Sequence, residues 1–522
     1  MSTPEACHHA PSPPRSGRVA PLSLRELVHE IPDASLADDR AASVRVTGVH
    51  HDSRRVEPGD LFVARAGARS TGASFIADAA ARGAAAVLVE RGSDTDAHGL
   101  PRVEAVDVPR ALAFAAAAVY GHPTFAVEVV GITGTNGKTT TAHLAQAAID
   151  ASGGHAGIVG TLGYRFGDLD LPSTHTSPEA DELARIAAAM RARGASHLVM
   201  EVSSIALAAR RADAVRFRVA AFTNLTQDHL DYHGTMEAYA AAKARLFVDL
   251  APGAAAINVD DPFGRELAQR IAREVPLCRF SAEVGAGPEV AEIAPTALAV
   301  TQAGIALEAR TPVGPASIRS PLLGAHNVAN LLTALAIAYL LDEDVRVAAR
   351  ALGADIKVPG RLERCDAPAI DDVVVLVDYA HTPDALARVL ASVKGLGSGR
   401  IRAVFGCGGD RDPGKRPLMG EAVGRLADVA IVTNDNPRSE DPEAIAGAIL
   451  PGLAGGRAAV IVELDRRRAI ERAVLEAAPG DVILIAGKGH EPYQILGALT
   501  VPFDDRAEAR RALGLRRERA AS

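Results

Sequence analysis

Short runs of apolar, β-branched residues alternate with longer Ala-rich stretches along almost the whole chain. Short apolar runs bounded by turn residues are typical of buried strands, and Ala-rich stretches favour helix. The alternation therefore predicts an α/β fold throughout, with parallel-rich sheets covered by helices. Examples of the predicted strands are residues 44–49, 85–89, 127–133, 198–201, 219–224, 255–259, 373–378, 401–405, 429–433 and 482–486.

Two breaks in this alternation predict three domains. Gly-His-Pro-Thr at 121–124 and Val-Pro-Gly at 358–360 each follow a helical stretch, and Gly and Pro mark such boundaries. The predicted organisation is a leader over 1–20 and domains over 21–123, 124–358 and 359–522. The Pro, Ser and His content of the leader is typical of a disordered segment.

Composition excludes several classes of protein. The 522 residues are 48% apolar, which is enough to fill several cores, and 56 Lys and Arg against 64 Asp and Glu give a net charge of −8. This charge gives no reason to expect a nucleic acid or an acidic membrane as partner. No apolar run approaches the roughly 20 residues that span a bilayer, and no signal peptide is recognisable. The four cysteines lie far apart without a C-x-x-C pair, so we expect a cytoplasmic protein without a disulfide framework.

A Gly-rich turn between a predicted strand and a predicted helix is the strongest local signal for chemistry. Such a turn points backbone N–H groups at an anion, so Lys138 would reach the β- and γ-phosphates and Thr139 would bind Mg²⁺. We expect Lys138 in an exposed loop. Gly131 precedes Gly137 by six positions where the usual spacing is five, and a plain turn with an incidental motif is the alternative. The turn consists of Gly134, Thr135, Asn136, Gly137, Lys138, Thr139 and Thr140.

Three further features have both a functional and an ordinary interpretation. Glu201 ends a predicted strand, as a second Mg²⁺ ligand beside a phosphate loop does, although many strands end in Glu. The polar run 224–233, with His229, could carry metal ligands or be a solvated turn. Lys243 lies in a predicted helix and, from the residues alone, is an ordinary surface lysine.

These features indicate an ATP enzyme. A guanine-reading N-K-x-D motif is missing from the sequence, and Gly406–Gly409 is not a dinucleotide fingerprint because Arg411 takes the place of the third glycine. A phosphate-loop kinase or an ATP-dependent switch remains a rival, and neither would require an amine as second substrate.

Several motifs in order give the chain a specific resemblance. They are GITGTNGKTTT from 131, MEVSS from 200, NLTQDHLDYHG from 224, LGAHNVAN from 323, VPGR from 358, DYAHTP from 378, GCGGDRD from 406, DNPR from 435 and GKGHE from 487. The chain resembles the Mur ligase family over roughly 44–494, and within it the members that add diaminopimelate. Ligases that add D-Ala-D-Ala and folylpolyglutamate synthases are the nearest rivals, and the DNPR and GKGHE runs disfavour both.

The resemblance implies a fold and a reaction. It implies an N-terminal domain for a uridine nucleotide, a central phosphate-loop ATPase domain and a C-terminal Rossmann-like domain for the incoming amino acid. The implied enzyme is an ATP-dependent amide ligase of peptidoglycan precursor synthesis, which joins meso-2,6-diaminopimelate to UDP-MurNAc-L-Ala-D-Glu through an acyl phosphate. We expect a monomer with no nucleic-acid partner and no membrane insertion.

The resemblance also implies roles for the residues that bind ATP and metal. Thr139 and Glu201 would hold one Mg²⁺, Glu201 and His229 a second, and Lys243 would be carbamylated near the second ion. Lys138, Glu201, His229 and Lys243 are the implied catalytic group. The implied ATP contacts outside the loop are Asn327, Asn330, Arg361 and Asp378.

The two remaining substrates have their own implied residues. Those for the UDP substrate are Ser53, Thr176, Ser177, Ser203 and Arg211. His175, Ile205, Ala209 and the run 68–70 depart from the family pattern near these positions. Those for diaminopimelate are Arg411, Asp435, Asn436, Pro437, Arg438, Gly487 and Glu491. The arginines would clamp the distal carboxylate, which lysine lacks, whereas the ordinary interpretation is an Asx-Pro turn with a solvated arginine.

Overall fold

The fold is described from a computed structural model, which covers residues 20–65, 71–301, 303–354, 356–394 and 396–521. The predicted leader lies outside these residues except for Ala20. The described residues form three successive α/β regions, each with its own sheet and core.

The N-terminal region is built on a sheet in the order β2-β7-β6-β5-β4, parallel except for β2. Alternate residues of its strands face opposite sides: Leu61 packs with α1 and α3, whereas Phe62 packs with α2. The strands are β1 (Leu22–Ser23), β2 (Ala34–Leu36), β3 (Arg45–Val46), β4 (Gly48–His50), β5 (Asp60–Val63), β6 (Ala86–Glu90) and β7 (Arg102–Ala105). The helices are α1 (Leu24–Glu30), α2 (Ile76–Ala81) and α3 (Val108–Val119).

The central region has a larger sheet in the order β11-β10-β9-β12-β8-β13-β14-β15, and β10 and β11 are its antiparallel strands. Helices α4, α10 and α11 cover one face, and α5, α8 and α9 cover the other. The strands are β8 (Glu128–Thr133), β9 (Ala156–Gly160), β10 (Gly163–Phe166), β11 (Leu169–Leu171), β12 (His197–Glu201), β13 (Phe217–Phe222), β14 (Ala254–Asn258), β15 (Leu277–Phe280), β16 (Ala294–Thr301), β17 (Gly304–Thr311) and β18 (Gly314–Ser320). The helices are α4 (Lys138–Ala151), α5 (Ala180–Ala192), α6 (Ser204–Ala208), α7 (Leu230–His233), α8 (Met236–Val248), α9 (Pro262–Ile271), α10 (His326–Leu340) and α11 (Val345–Ala351).

The C-terminal region has a sheet in the order β19-β20-β24-β21-β22-β23, parallel except for β19. Helices α12, α13 and α14 pack on one face, and α15 and α16 on the other. The strands are β19 (Glu363–Arg364), β20 (Val374–Asp378), β21 (Ile401–Phe405), β22 (Val429–Val432), β23 (Ala459–Val462), β24 (Val482–Ala486), β25 (Tyr493–Leu496) and β26 (Leu499–Pro502). The helices are α12 (Pro383–Val393), α13 (Lys415–Leu426), α14 (Pro442–Leu453), α15 (Arg466–Leu475) and α16 (Asp505–Ala521).

The α/β architecture with parallel-rich sheets is confirmed, and the differences are local. The predicted strand at 44–49 is interrupted at Thr47, whose N–H donates to Gly59 O, and forms β3 and β4. The antiparallel sheet β16-β17-β18 and the hairpin β25-β26 were not predicted. Across the described ranges, none of the helices is both long and apolar enough to cross a membrane. The domain boundaries stay predictions.

Candidate active site

The phosphate loop connects the centre of the large sheet to α4. β8 ends at Thr133, and α4 begins at Lys138 directly after Gly137, which has a φ of +89°. Gly134 has a φ of +149°, and a Cβ there would collide with the Thr223 hydroxyl. Gly131 lies inside β8, where a Cβ would strike the Phe217 ring. Gly131 therefore serves strand packing and is not part of the phosphate loop, whose glycines are Gly134 and Gly137.

Lys138 curls back over this loop. Its Nζ donates to Gly134 O at 2.8 Å and to Thr135 O at 3.0 Å. Burial lowers the pKa of Lys138, and the Glu201 carboxylate partly offsets this. The expectation of an exposed position is wrong: Lys138 is the first residue of α4 and is half-buried.

Glu201 lies beside the loop because β12 pairs with β8 in parallel, with Glu201 opposite Ile132. Thr139 Oγ1 donates to Glu201 Oε2 at 2.9 Å. Through the described parts of the chain, no group of three or more His, Cys, Asp or Glu side chains could hold a metal ion. A hydroxyl and a carboxylate nevertheless fit Mg²⁺, which binds few protein ligands and completes its shell with phosphate and water oxygens.

The polar run after β13 braces the phosphate loop. Asn136 N–H donates to Asn224 Oδ1 at 2.9 Å, and Thr226 N–H donates to Thr135 Oγ1 at 2.9 Å. The solvated-turn interpretation is therefore wrong for these residues. His229 lines the same cavity as the loop, with Nε2 3.5 Å from an Asp228 carboxylate oxygen. Burial, reinforced by the charges of nearby lysines, lowers the pKa of His229.

Lys243 is not a surface lysine. Its side chain is buried in α8, with Nζ donating to Gly134 O at 2.9 Å and lying 4.5 Å from the centre of the Tyr239 ring. Burial, with the positive charge of Lys138 nearby, holds the pKa of Lys243 well below its usual value. The helical pattern could not show this, because the loop packed against α8 is what buries the amine.

Two residues of the C-terminal region reach the phosphate loop. Arg361 Nη2 donates to Thr139 Oγ1 at 3.1 Å. Asp384 Oδ2 accepts from Thr226 Oγ1 at 3.0 Å and from Asn136 Nδ2 at 3.4 Å. Asp384 was missed, although it follows the quoted DYAHTP run by one position.

Asp378 supports the Arg361 segment. Its carboxylate accepts from Leu362 N–H and from Ala380 N–H, both at 2.8 Å. Burial raises the pKa of Asp378, and Arg361 opposes that shift.

A cavity of about 310 Å³ lies between the phosphate loop and α12. Asn327 and Asn330 of α10 line it and are joined through Asn330 Nδ2 and Asn327 Oδ1 at 2.7 Å. Thr141 Oγ1 donates to Asn330 Oδ1 at 3.3 Å, which ties this pair to α4. The cavity brings together most of the residues that were predicted for ATP and metal.

The residues predicted for the UDP substrate form a second group beside Glu201. Ser177 Oγ donates to Glu201 O at 2.8 Å, and Ser203 N–H donates to Ser177 Oγ at 2.9 Å. Arg211 Nη1 donates to Ser177 O at 3.1 Å. Thr176 Oγ1 lies 3.1 Å from Thr161 Oγ1. This group is therefore joined to the metal-binding candidates at Glu201, whose backbone carbonyl bonds to Ser177 and whose carboxylate bonds to Thr139.

The N-terminal region meets this second group through charged pairs that sequence reasoning missed. The Glu179 carboxylate pairs with Arg211 and with Arg65, both at 2.7 Å. His51 Nδ1 lies 2.9 Å from Asp181 Oδ1, and the predicted substrate residue Ser53 is buried two positions later. The run 68–70 lies outside the described residues.

The residues predicted for diaminopimelate cluster at the carboxyl ends of β21, β22 and β24. Arg438 has a φ of +53°, and its Nη1 donates to Gly409 O at 2.7 Å. A Cβ on Gly408 would lie 2.9 Å from Arg438 Nη1 and 3.7 Å from Arg411 Cγ, so both arginines flank Gly408. The interpretation of Arg438 as a solvated arginine is wrong, because it is half-buried and bonded to the backbone.

Acidic and amide groups of this cluster surround a lysine that was missed. Lys488 is fully buried, with Nζ donating to Asn436 Oδ1 at 3.0 Å and Glu491 Oε2 at 3.2 Å. Asp435 Oδ1 has no hydrogen-bond partner among the described residues, and a Cβ on Gly487 would lie 2.9 Å from its other carboxylate oxygen. Glu440 N–H donates to Pro437 O at 3.1 Å, which closes the turn that carries Arg438.

Family models match the chain in three successive parts. They are described as Mur ligase family, catalytic domain, at 45–120, Mur ligase middle domain at 132–338, and Mur ligase, glutamate ligase domain, at 360–489. The chain belongs to the Mur ligase family. This membership accounts for the order of the phosphate loop, the Glu201 strand and the third sheet along the chain.

Individual Mur ligases are similar over nearly the full length. UDP-N-acetylmuramoyl-L-alanyl-D-glutamate--2,6-diaminopimelate ligase of Geobacter metallireducens is 44% identical over 488 residues, which is 89% of this chain and 94% of that protein. A solved structure of an enzyme of the same name is 33% identical, has a TM-score of 0.67 and aligns over 95% of this chain and 99% of its own. MurF ligase from Thermotoga maritima, solved with ADP, is 18% identical with a TM-score of 0.59 over 91% of this chain and 99% of its own, and shares the fold.

Proposed function

We propose that this protein is an ATP-dependent amide ligase that joins meso-2,6-diaminopimelate to UDP-MurNAc-L-Ala-D-Glu. The observation that carries the proposal is the hydrogen bond from Thr139 to Glu201, since Glu201 also adjoins Ser177 and Ser203. The ATP-binding candidates and the UDP-substrate candidates therefore meet at one residue, the former at the Glu201 carboxylate and the latter at its backbone carbonyl. A carboxylate substrate bound there would lie next to the γ-phosphate of ATP.

The chemistry follows from this juxtaposition. The carboxylate of the D-Glu residue attacks the γ-phosphorus of ATP, the bond from that phosphorus to the β,γ-bridging oxygen breaks, and ADP leaves. The amine of diaminopimelate then attacks the acyl carbon, phosphate leaves, and the amine gives up a proton as the amide forms. Lys138 and Arg361 supply positive charge at the transferring phosphoryl group.

Thr139 and Glu201 offer the oxygen ligands that Mg²⁺ prefers and would hold one ion, and Glu201 with a ring nitrogen of His229 would hold a second. When bound, it would neutralise the crowded phosphate and carboxylate oxygens. The hydroxyl groups of Thr139 and Thr161 both donate hydrogen bonds to the Glu201 carboxylate. The carboxylate oxygens therefore act as acceptors, and an acceptor oxygen can also bind a cation.

Carbamylation of Lys243 is supported by its surroundings. Only the neutral amine reacts with carbon dioxide, and burial lowers the pKa of Lys243 so that this form is favoured. The product is an anion, and the nearby charge of Lys138 would stabilise it. A carbamate here would add an oxygen ligand near the second ion.

Selection of diaminopimelate is supported by the charged residues at the carboxyl ends of β21, β22 and β24. Arg411 and Arg438 flank Gly408, and the carboxylates of Asp435 and Glu491 lie around the buried amine of Lys488. The two arginines match the distal carboxylate of diaminopimelate, which lysine lacks. The proposal carries with it a cytoplasmic setting and a monomeric enzyme, which stay predictions.

The decisive experiment measures phosphate release from ATP with UDP-MurNAc-L-Ala-D-Glu and a panel of amines, with mass spectrometry of the product. We expect release that depends on meso-diaminopimelate and a product heavier by one diaminopimelate residue. Release without an amine would indicate a kinase or a switch. Preference for L-lysine, D-Ala-D-Ala or glutamate would indicate another ligase of the same fold.

A further inference from the structure

Thr161 donates two hydrogen bonds to the Glu201 carboxylate. It follows β9 directly, at the carboxyl end of the sheet next to β12. Its backbone N–H donates to Glu201 Oε1 at 2.8 Å, and its hydroxyl donates to Glu201 Oε2 at 3.1 Å. Both carboxylate oxygens are thereby fixed by one residue.

Gly160 makes this contact possible. A Cβ on Gly160 would collide with Glu201 Oε1, so the carboxylate packs directly on the backbone of β9. Glu201 is 2% exposed. Its side chain therefore has little room to adopt another rotamer while Thr161 holds it.

The Thr161 hydroxyl also connects two parts of the site. Its single proton is donated to Glu201 Oε2, so Thr176 must be the donor in its 3.1 Å contact with Thr161. The hydrogen bonds thus run from Thr176 through Thr161 to Glu201, and Thr139 donates to the same Glu201 oxygen. A candidate for the UDP substrate and a candidate for the metal share one intermediate residue.

We propose that Thr161 is a positioning residue, which orients Glu201 toward Thr139 so that the pair can bind the Mg²⁺ that accompanies ATP. This rests on the proposed function insofar as Glu201 is taken as a metal ligand. Partners that orient a ligand carboxylate typically change metal affinity by about 10–100-fold when they are removed. Thr161 therefore sets the affinity for Mg²⁺ without touching the ion.

The test compares Thr161→Val, which keeps the shape and the backbone donor but removes the hydroxyl, with Thr161→Ser, which keeps the hydroxyl. Thr311→Val is a matched control, since it removes a buried hydroxyl that bonds only locally to Gly314 O, in the β17-β18 turn. Binding of a non-hydrolysable ATP analogue is measured by calorimetry over a range of Mg²⁺ concentrations, without the UDP substrate or an amino acid.

We expect Thr161→Val to raise the Mg²⁺ concentration for half-maximal nucleotide binding by about 10–100-fold. Binding without Mg²⁺ should equal wild type, and Thr161→Ser and Thr311→Val should follow the wild-type titration. An unchanged Mg²⁺ dependence in Thr161→Val, or an equal defect in Thr161→Ser, would overturn the proposal. Failure of both Thr161 variants to fold, with Thr311→Val folded, would assign the residue to stability and also overturn it.

Failure of the proposed function has a different signature. The wild-type protein would then bind the analogue with Mg²⁺ but release no phosphate in response to diaminopimelate. The two hypotheses are thus tested by separate measurements on the same preparation.

Discussion

Arg361 and Thr139 are 222 positions apart in the chain, and their side chains lie 3.1 Å apart at the cavity beside the phosphate loop. Asp384 reaches the same loop from α12 through Asn136 and Thr226. The C-terminal region therefore contacts the phosphate loop with a cation and an anion. ATP bound in the cavity would be enclosed by both regions.

Replacing Lys138 with Ala should abolish phosphate release. Lys138 lies over the loop, and loss of one charged donor at a transferring phosphoryl group costs about 100-fold or more in rate. Its two hydrogen bonds to the loop add about 1 kcal/mol to stability, so the variant should fold with a slightly lower Tm. ADP release and thermal unfolding are measured beside Lys394→Ala, an exposed lysine. Turnover equal to wild type would contradict the phosphate-loop assignment.

Replacing Lys243 with Ala should nearly abolish activity, because the carbamate and its oxygen ligands disappear. Short carboxylic acids such as acetate should restore part of the rate by entering the space that the side chain leaves. Rates are measured with and without added acid, and Lys394→Ala should show no response. If the Lys243→Ala enzyme turns over normally, Lys243 has a packing role alone. Mass spectrometry or ¹³C NMR in ¹³CO₂ would detect the carbamate in the wild type.

Replacing Arg438 with Ala should raise the KM for diaminopimelate by roughly tenfold or more, given about 1.5–3 kcal/mol for a charged hydrogen bond and 1.4 kcal/mol per decade. The KM values for ATP and the UDP substrate should change little. Arg438→Lys keeps the charge but loses the planar fork, so it should recover only part of the affinity. An unchanged KM for diaminopimelate in Arg438→Ala would show that another residue selects the amino acid.

The contact between His51 and Asp181 should make stability depend on pH. Burial alone would lower the pKa of His51, but the Asp181 carboxylate reverses this and raises it above its usual value of about 6.5. Burial would raise the pKa of Asp181, but the His51 ring and the Arg185 guanidinium hold it far below its usual range. The stabilisation is therefore fully present below about pH 6.5, while Asp181 stays ionised, and is lost as pH rises through the higher pKa of folded His51.

His51→Gln should accordingly lower the free energy of unfolding by about 2 kcal/mol at pH 6 and by much less at pH 9. Thermal unfolding at both pH values measures this, with His98→Gln, whose partner Asp96 is exposed, as the control. An equal loss at both values would mean that the His51 charge contributes nothing.

Most of the parallel strands could be predicted from the sequence, because their apolar runs are bounded by Gly, Pro and Asp. The parallel strand β9 could not, because it is only the short run Ala-Gly-Ile-Val-Gly. The antiparallel strand β16 could not either, because it mixes Ala and Thr without a clear apolar face. In the site, too, only residues that belong to a local sequence pattern could be predicted. The phosphate loop has a local pattern, whereas Thr161, Asp384 and Lys488 acquire their partners only when distant segments meet. The buried state of Lys243 likewise depends on the loop that packs over α8.

The cavity beside the phosphate loop is lined by residues of both the central and the C-terminal region, and this has a consequence for inhibitor design. Asn330 of α10 and Val389 of α12 line the same cavity, yet their helices pack on separate sheets. A compound that fills this space and contacts both would favour the arrangement in which the two regions are close, and would leave only when they separate. Its residence time would then be governed by contacts outside the pocket, such as the one that Asp384 makes with Thr226.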